Sequence, residues 1–399
     1  MSTVPTPTEF EAEVERFCAA RLQPRRLDET LAAWGTGPDA MVVIEEPDPV
    51  EEREKLARAQ QWRKELHEAG LAWIDGPVEM GGRGLSSDHV EAFRRAMNRY
   101  EAPDESPLAI GLEIVGPAIA VHGTDAAKRI VLRGIHLGDE IACQLFSEPN
   151  AGSDLSAVRT RGERVEGGWR VTGQKVWTSG GHLATYGEAL VRTDPDSERH
   201  RGLTMMLVDM RSPGVEVRPI RQMTGGSSFN EVFLDDVFVP DDMVLEAEGA
   251  GWQVALTTLM QERLSVGAGR TSPARTALDR LAQLIAHFGR HDDPLVRQQY
   301  ADLYSRSRVS EWFQKRAATR EGGPGPEMSI VKLHFTSLLS DISKLAAEIL
   351  GPAICADTGE WGTFAWAQFV TGTPGMHIAG GTGQIQRNIL AERVLGLPR

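Results

Sequence analysis

The sequence predicts an α+β fold in three consecutive parts, helical, then β, then helical again, and three observations predict it. From Glu9 to about Asp139 apolar residues recur at three and four positions, as in EEREKLARAQQWRKELHEAGLAWI, and Gly70, Gly76-Pro77 and Gly81-Gly82 break helix from helix. From Ile141 to about Val244 the period shortens to two, in runs such as WRVTGQKVW, LTMMLVDM, VEVRPI and NEVFLDDVFVP parted by Gly, Pro and Asp clusters. After the acidic turn Pro240-Asp241-Asp242, helical periodicity returns from Gly251 to the end, and EGGPGPE at Glu321 to Glu327 divides two of those helices. Each part must bury its apolar face against another layer, which places an N-terminal helical domain at 1–139, a central β-domain at 140–244 and a C-terminal helical bundle at 245–399. No internal repeat is visible.

The size of the chain agrees, because 399 residues exceed what one hydrophobic core usually serves. Hydrophobic content of 41% and charged content of 25% describe an ordinary globular protein rather than a disordered or fibrous one. The formal charge of −13 and the absence of any Lys/Arg run argue against nucleic acid or an anionic membrane surface as partner. Cys18, Cys143 and Cys355 are far apart and form no CxxC pair, so neither a disulfide framework nor a metal site is expected. The N-terminal MSTVPTPTEFEAEVERF has no apolar core of signal-peptide length, and no apolar run is long enough for a bilayer. A cytoplasmic protein without membrane insertion is the expectation.

Two blocks carry the chemistry: QLFSEPNAGSD from Gln144, and GWRVTGQKVWTS ending at Ser179. In the first, Gly152 and the Asn150-Ala151 turn let backbone approach a ligand closely; in the second, the Trp177 indole offers a flat surface for a ring system, and short hydroxyls beside it donate without bulk. Together at this separation the blocks resemble the flavin-binding wall of the acyl-CoA dehydrogenase family. The resemblance implies FAD as cofactor, with Gln144, Phe146 and Ser147 along the flavin, Trp177 against its ring system, Ser179 near flavin N5, and Ser153 at the CoA pantetheine. It further implies a β-barrel-like central domain and a C-terminal four-helix bundle.

Members of this family remove the α-proton of an acyl thioester with a glutamate that faces the flavin. In most of them that glutamate lies just before a GT pair near the C-terminus; here the stretch reads HIAGGTGQIQRNIL and the matching position is Gly380, which has no basic group. A smaller group, similar to isovaleryl-CoA and long-chain acyl-CoA dehydrogenases, takes its glutamate from an earlier Glu-Arg pair, and Glu262-Arg263 in LTTLMQERLSVGAGR matches it. Glu262 is thus the expected base, Gly380 N–H the expected donor to the thioester oxygen, and Arg263 a substrate-side residue. Helical spacing puts Glu262 at the edge of a stripe of Leu256, Leu259, Met260, Leu264 and Val266, with Arg263 inside it. A carboxylate at such an apolar margin holds its proton more tightly, which suits a base. Thr382 and Gln384 match flavin contacts of the family; a Thr beside glycines is equally a helix cap.

The resemblance departs at the diphosphate. Where family members place an Arg before a Phe-Gly pair, this chain has Ile285, and where they place a Gln before a Gly-Gly pair, it has Glu348. His287, Arg290 and Arg297 are the nearby substitutes, or a partner subunit supplies the cation, as in heteromeric actinobacterial steroid side-chain dehydrogenases, whose base-bearing chains this one resembles, including its LGLPR ending. The reading is therefore α,β-dehydrogenation of an acyl-CoA by an oligomer, a homo- or hetero-dimer or tetramer, with an electron-transferring flavoprotein as acceptor. Three others stay open: a flavin oxidase or monooxygenase of the same fold, a dehydrogenase of carrier-protein thioesters, and a non-catalytic subunit of a heteromer.

Overall fold

The structure is a computed structural model that describes residues 4–25, 48–268, 273–318, 325–356 and 363–398, apart from the side chains of 263–268, 273 and 317–318. The described residues fall into two compact units, one running to Gln261 but without Gln222–Gly226, the other holding Gln222–Gly226 and the residues from Glu262 onward.

The first unit opens with helices. Thr6 caps Pro7–Ala19 through a capping box: its hydroxyl accepts from Glu9 N, and Glu9 Oε2 accepts from Thr6 N at 2.8 Å. Asp48 caps Pro49–Glu68 in the same sense, accepting from Val50 N at 2.8 Å. These two helices and Ser87–Met97 bury Phe10, Val14, Trp62, Leu66, Ala92 and Ala96 in a core of their own. Residues 106–137 continue as short helical turns, including Gly116–His122.

Eight strands follow: β1 Ala142–Leu145, β2 Arg161–Val165, β3 Gly168–Ser179, β4 Tyr186–Arg192, β5 Leu203–Asp209, β6 Val215–Ile220, β7 Phe229–Pro240 and β8 Val244–Leu245. They form one sheet in the order β6-β7-β3-β2-β4-β5-β8, with β1 parallel to β4. β4 and β5 are buried along nearly their whole length, as strands covered on both faces are.

Two charged groups interrupt this interior. Lys175 on β3 is fully buried, and its ammonium reaches Glu148 Oε1 at 2.9 Å, Leu190 O at 2.7 Å and Phe146 O at 3.2 Å. Glu148 also accepts from Arg159 N and Thr160 N at 2.7 and 2.9 Å. Burial pulls the Lys175 ammonium down to about 8 while Glu148 opposes it. Burial pushes the Glu148 carboxyl up, but Lys175 and the N–H donors outweigh it and leave it below the ordinary carboxylate range. The second group is Glu188 on β4, also fully buried, with Oε1 2.8 Å from the Thr258 hydroxyl and Oε2 without a partner among the described residues. That hydroxyl also lies 3.2 Å from Val254 O. It has one proton, so a neutral Glu188 that donates to Thr258 lets Thr258 donate to Val254 O. Burial pushes the Glu188 carboxyl up to about 8, with the Thr258 hydrogen bond acting the other way.

Thr258 lies on the helix Gly251–Ala268, whose first residue touches β5 so closely that a Cβ there would come within 2.5 Å of the Thr204 carbonyl carbon. This approach turns Val254, Ala255 and Thr258 inward, each fully buried, and leaves Leu256 39% exposed. The apolar stripe expected through Leu256 is therefore not the buried face.

In the second unit four helices, Pro273–His287, Pro294–Ala318, Met328–Leu350 and Thr363–Met376, close around Leu278, Leu281, Leu303, Leu339, Ile342, Trp366 and Phe369. The short helix Gly383–Ile389 follows. This is the predicted α+β arrangement: N-terminal helices, a central sheet and C-terminal helices. Among the described residues no helix is long and apolar enough to cross a membrane.

Lys175→Met is expected to destabilise the first unit by about 3–5 kcal/mol, because it strands a buried carboxylate, and Lys175→Met with Glu148→Gln to recover part of that loss. Denaturant unfolding of the single and double variants checks it; equal stability of Lys175→Met and wild type would refute it. Glu188 sets a pH dependence. Its folded pKa is raised, so its contribution is fully present below the ordinary carboxylate range and is lost as pH rises through about 8. Melting temperatures across that range are expected to fall less for Glu188→Gln than for wild type, and parallel curves would contradict this.

Candidate active site

The two sequence blocks meet where the turn after β1 lies against the end of β3. Val176 N donates to Ser147 O at 2.9 Å, next to the Lys175–Glu148 pair, so the turn after β1 and the end of β3 are joined by backbone and by charge. Immediately beyond, β3 bulges. Lys175 pairs with Val232 and Thr178 with Asn230, leaving one more residue on β3 than on β7. Trp177 sits in this bulge with φ 62°, a left-handed conformation rare for a residue with a large side chain. Its indole is 58% exposed and meets Phe229 edge-on, ring centroids 6.0 Å apart. Simple alternation would put Trp177 on the inward face with Val171 and Lys175; the extra residue reverses the parity, so Thr178 is buried and Trp177 faces outward. The left-handed backbone holds a flat aromatic open to solvent, a face on which a planar ring can stack. Ser147 and Ser179 are half-buried, Gln144 lies half-buried on β1, Phe146 is buried, and Ser153 is exposed in the following loop. These residues fit a flavin wall.

The remaining candidates belong to the second unit. Gly380 and Gly381 have φ 66° and 88°. A Cβ built on Gly380 would lie 3.5 Å from Glu262 Oε1, so the carboxylate of the helix occupies the space over this glycine. The Gly380 carbonyl accepts from Gln386 Nε2 at 2.8 Å, while its N–H meets no acceptor among the described residues. A Cβ on Gly381 would come within 2.8 Å of that same Gln386 amide, so the turn needs glycine there on steric as well as conformational grounds. Thr382 caps Gly383–Ile389 with its side chain accepting from Ile385 N, and Gln384 is exposed on the first turn. Arg263 belongs to the helix Gly251–Ala268, but its side chain lies outside the described residues.

Pattern reading missed three residues. Lys175 had a visible signal, a Lys at an inward position of an alternating strand. Lys332, whose ammonium donates to Met376 O at 2.9 Å across a long sequence separation, had none, and Gln386, fully buried, acts locally on the turn just before its own helix, where an ordinary polar residue gives no signal. Of the positions expected near a diphosphate, Ile285 is buried in the helical core, Glu348 is exposed, and Arg290 pairs with Asp293 at 2.7 Å.

Comparison with known proteins bears on this geometry. Family models of the acyl-CoA dehydrogenase N-terminal, middle and C-terminal domains match residues 40–139, 143–237 and 249–395. Acyl-CoA dehydrogenase IpdE1 of Mycobacterium tuberculosis is 38% identical over 356 residues, 88% of this chain and 91% of that protein. Acyl-CoA dehydrogenase FadE34 of the same organism is 40% identical over 309 residues, 76% of this chain but 41% of FadE34. Among solved structures, the ChsE4-ChsE5 complex from Mycobacterium tuberculosis superposes with a TM-score of 0.72 at 26% identity, covering 100% of this chain and 99% of that one. The Tcur3481-Tcur3483 steroid ACAD shares the fold with a TM-score of 0.74 at 23% identity, covering 100% and 99%. The chain belongs to the acyl-CoA dehydrogenase family and is an oxidoreductase acting on acyl-CoA.

Proposed function

We propose that the chain catalyses FAD-dependent α,β-dehydrogenation of an acyl-CoA thioester with Glu262 as base. The observation that carries this is the 3.5 Å between Glu262 Oε1 and the Cβ position of Gly380. Family resemblance offers two alternative positions for the base, 262 and 380, and here the side chain of one reaches the space of the other. In this reading the Gly380 N–H donates to the thioester carbonyl oxygen and stabilises the charge that develops as Glu262 takes the α-proton. Trp177, with Ser147 and Ser179 beside it, holds the cofactor's ring system, and Ser153 and Arg263 contact the CoA thioester. Gln144 and Phe146 line the cofactor, and Thr382 and Gln384 contact it from the turn after Gly380. Bound FAD supplies the acceptor for the hydride that leaves the β-carbon. Reoxidation by an electron-transferring flavoprotein and a cytoplasmic setting belong to the same reading. Ala379 and Gly380 leave room at the acyl site, and a structural neighbour is described as a steroid ACAD, so the acyl group is read as bulky and sterol-derived.

The test is an anaerobic titration of the purified protein with straight-chain, branched and steroid acyl-CoAs, read as flavin bleaching. Bleaching by a steroid acyl-CoA in wild type, with turnover lowered about 10²- to 10⁴-fold and flavin retained in Glu262→Gln, is the expected result. Ordinary turnover in that variant would move the base elsewhere, and release of FMN in place of FAD would exclude the cofactor.

The departures at Ile285 and Glu348 favour a second component. Ile285 is buried, Glu348 carries the wrong charge for a diphosphate, and two structural neighbours are two-chain assemblies by description. A partner chain of the same family that supplies cationic contacts accounts for this. Each missing charge-assisted contact contributes about 1.5–3 kcal/mol, so FAD bound by this chain alone is expected to be weaker by roughly tenfold or more. Full FAD occupancy of a homo-oligomer after gel filtration in flavin-free buffer would exclude it.

A further inference from the structure

Beside the Trp177 bulge, three side chains from separate elements form one hydrogen-bonded series. Glu52, on Pro49–Glu68, has Oε2 2.8 Å from His182 Nε2, and His182 Nδ1 lies 3.2 Å from Asn230 Nδ2. Asn230, fully buried on β7, also donates from Nδ2 to Thr178 O at 3.1 Å. The direction of every bond follows from that last one. A carbonyl oxygen only accepts, so the Asn230 atom facing Thr178 O is its amide nitrogen; that nitrogen only donates, so His182 Nδ1 accepts. Nε2 is left to donate to Glu52. Asn230 Oδ1 has no partner among the described residues, so the side chain is held by its two N–H bonds alone. A Cβ built on Gly181 would lie 3.0 Å from Thr178 Cγ2 and 3.5 Å from Asn230 Cβ, so the loop that carries His182 closes over both residues.

We propose that Glu52, His182 and Asn230 are positioning residues of the cofactor's ring site, fixing the direction of the Ser179 N–H through Thr178 O. It rests on the reading that puts Ser179 beside that ring. Thr178 O and Ser179 N belong to one planar peptide, so a bond that holds the oxygen also orients the N–H. Thr178 faces Asn230 across β3 and β7, and two residues on Gly180 N donates to Ser228 O at 3.3 Å. An antiparallel ladder alternates bonded and unbonded positions, so Ser179 is an unbonded one and its N–H points away from β7. That is also the side on which Val176 N meets Ser147 O. The residue before this peptide, Trp177, is held at φ 62°, where a side chain as large as indole is uncommon, and an anchor on the far side of Thr178 keeps the strain from relaxing into Ser179. An N–H oriented in advance donates to an acceptor on the edge of a planar ring without reorganisation.

Two readouts test it on the full chain. The first is hydrogen–deuterium exchange without added flavin, where the bonded amides of Gly180, Leu183 and Ala184 report opening of the loop. His182→Ala and Glu52→Ala are each expected to speed their exchange about fivefold or more while β4 and β5 exchange as in wild type. Glu52→Gln, which keeps an acceptor for His182 Nε2–H, is expected to restore most of the protection. The second is resonance Raman spectroscopy of the same proteins saturated with FAD. Ring bands sensitive to hydrogen bonding at N5 and C4=O are expected to shift toward those of free FAD in both alanine variants and to return in Glu52→Gln. The alanine variants break the series at different links, so either carries the test if the other does not fold. Unchanged exchange, unmoved bands, or a Glu52→Gln no better than Glu52→Ala overturns the proposal. Trp177→Ala separates it from the reading beneath. FAD bound to that variant with wild-type affinity removes the ring wall itself; weakened FAD there, with unmoved bands in His182→Ala, removes only the three positioning residues.

Discussion

The buried ion pair of Lys175 and Glu148 is the constraint on which the ligand wall depends. Each partner comes from a different sequence block, and neither charge is tolerable alone in a fully buried site, so the fold is stable only when the turn after β1 lies against the end of β3. The pair is supported on every side. Lys175 gives its protons to Glu148 and to two carbonyls, and Glu148 accepts two backbone N–H groups as well. With β3 pinned at Lys175, the bulge that follows has little freedom, and a single extra residue decides that Trp177 faces solvent rather than the core. The left-handed backbone at Trp177 costs on the order of 1–2 kcal/mol, borne by the surrounding structure.

The second unit uses a different device. Its turn at Gly380 and Gly381 is made by left-handed backbone that glycine adopts freely, and Gln386 holds it from within by a bond to the Gly380 carbonyl. That bond fixes the peptide between Gly380 and Gly381, the one that follows the N–H assigned as donor in the proposed reading. Gln386 sits on the helix that Thr382 caps, so the capping alternative weighed for Thr382 and the positioning of Gly380 are parts of one local structure.

Helix, sheet and helix were legible because burial follows periodicity in strands such as NEVFLDDVFVP and in the apolar faces of the bundle, while LTMMLVDM, buried throughout, reads as a strand covered on both faces. The two blocks were legible because glycine, indole and short hydroxyls are read locally. What stayed hidden depends on contacts distant in sequence. Alternation through WRVTGQKVW puts Trp177 inside, and only pairing with β7 reveals the bulge. The face of Gly251–Ala268 that packs inward is chosen by Gly251 against Thr204, not by the apolar count along the helix, which favours Leu256. Lys332 meets the turn from another helix and leaves no local mark, whereas Gln386 reaches back from the short helix that directly follows it.

A glycine at 380 and a glutamate at 262 constrain each other. Any side chain at 380 would begin 3.5 Å from the Glu262 carboxylate, in ordinary contact, and would extend into the same space. A second carboxylate there would add like-charge repulsion in a partly desolvated site and drive one of the two to hold its proton, which disables it as a base. It would also force a left-handed backbone on a residue with a Cβ, at a cost of roughly 1–2 kcal/mol. In the proposed reading only one of the two positions can carry a base, and a chain whose glutamate stands on the earlier helix gains from keeping position 380 bare. The Gly380 N–H is indifferent to this choice, since it comes from the backbone. On that reading, moving the base from one position to the other would change the direction from which the α-proton is approached while leaving the proposed donor to the thioester oxygen in place.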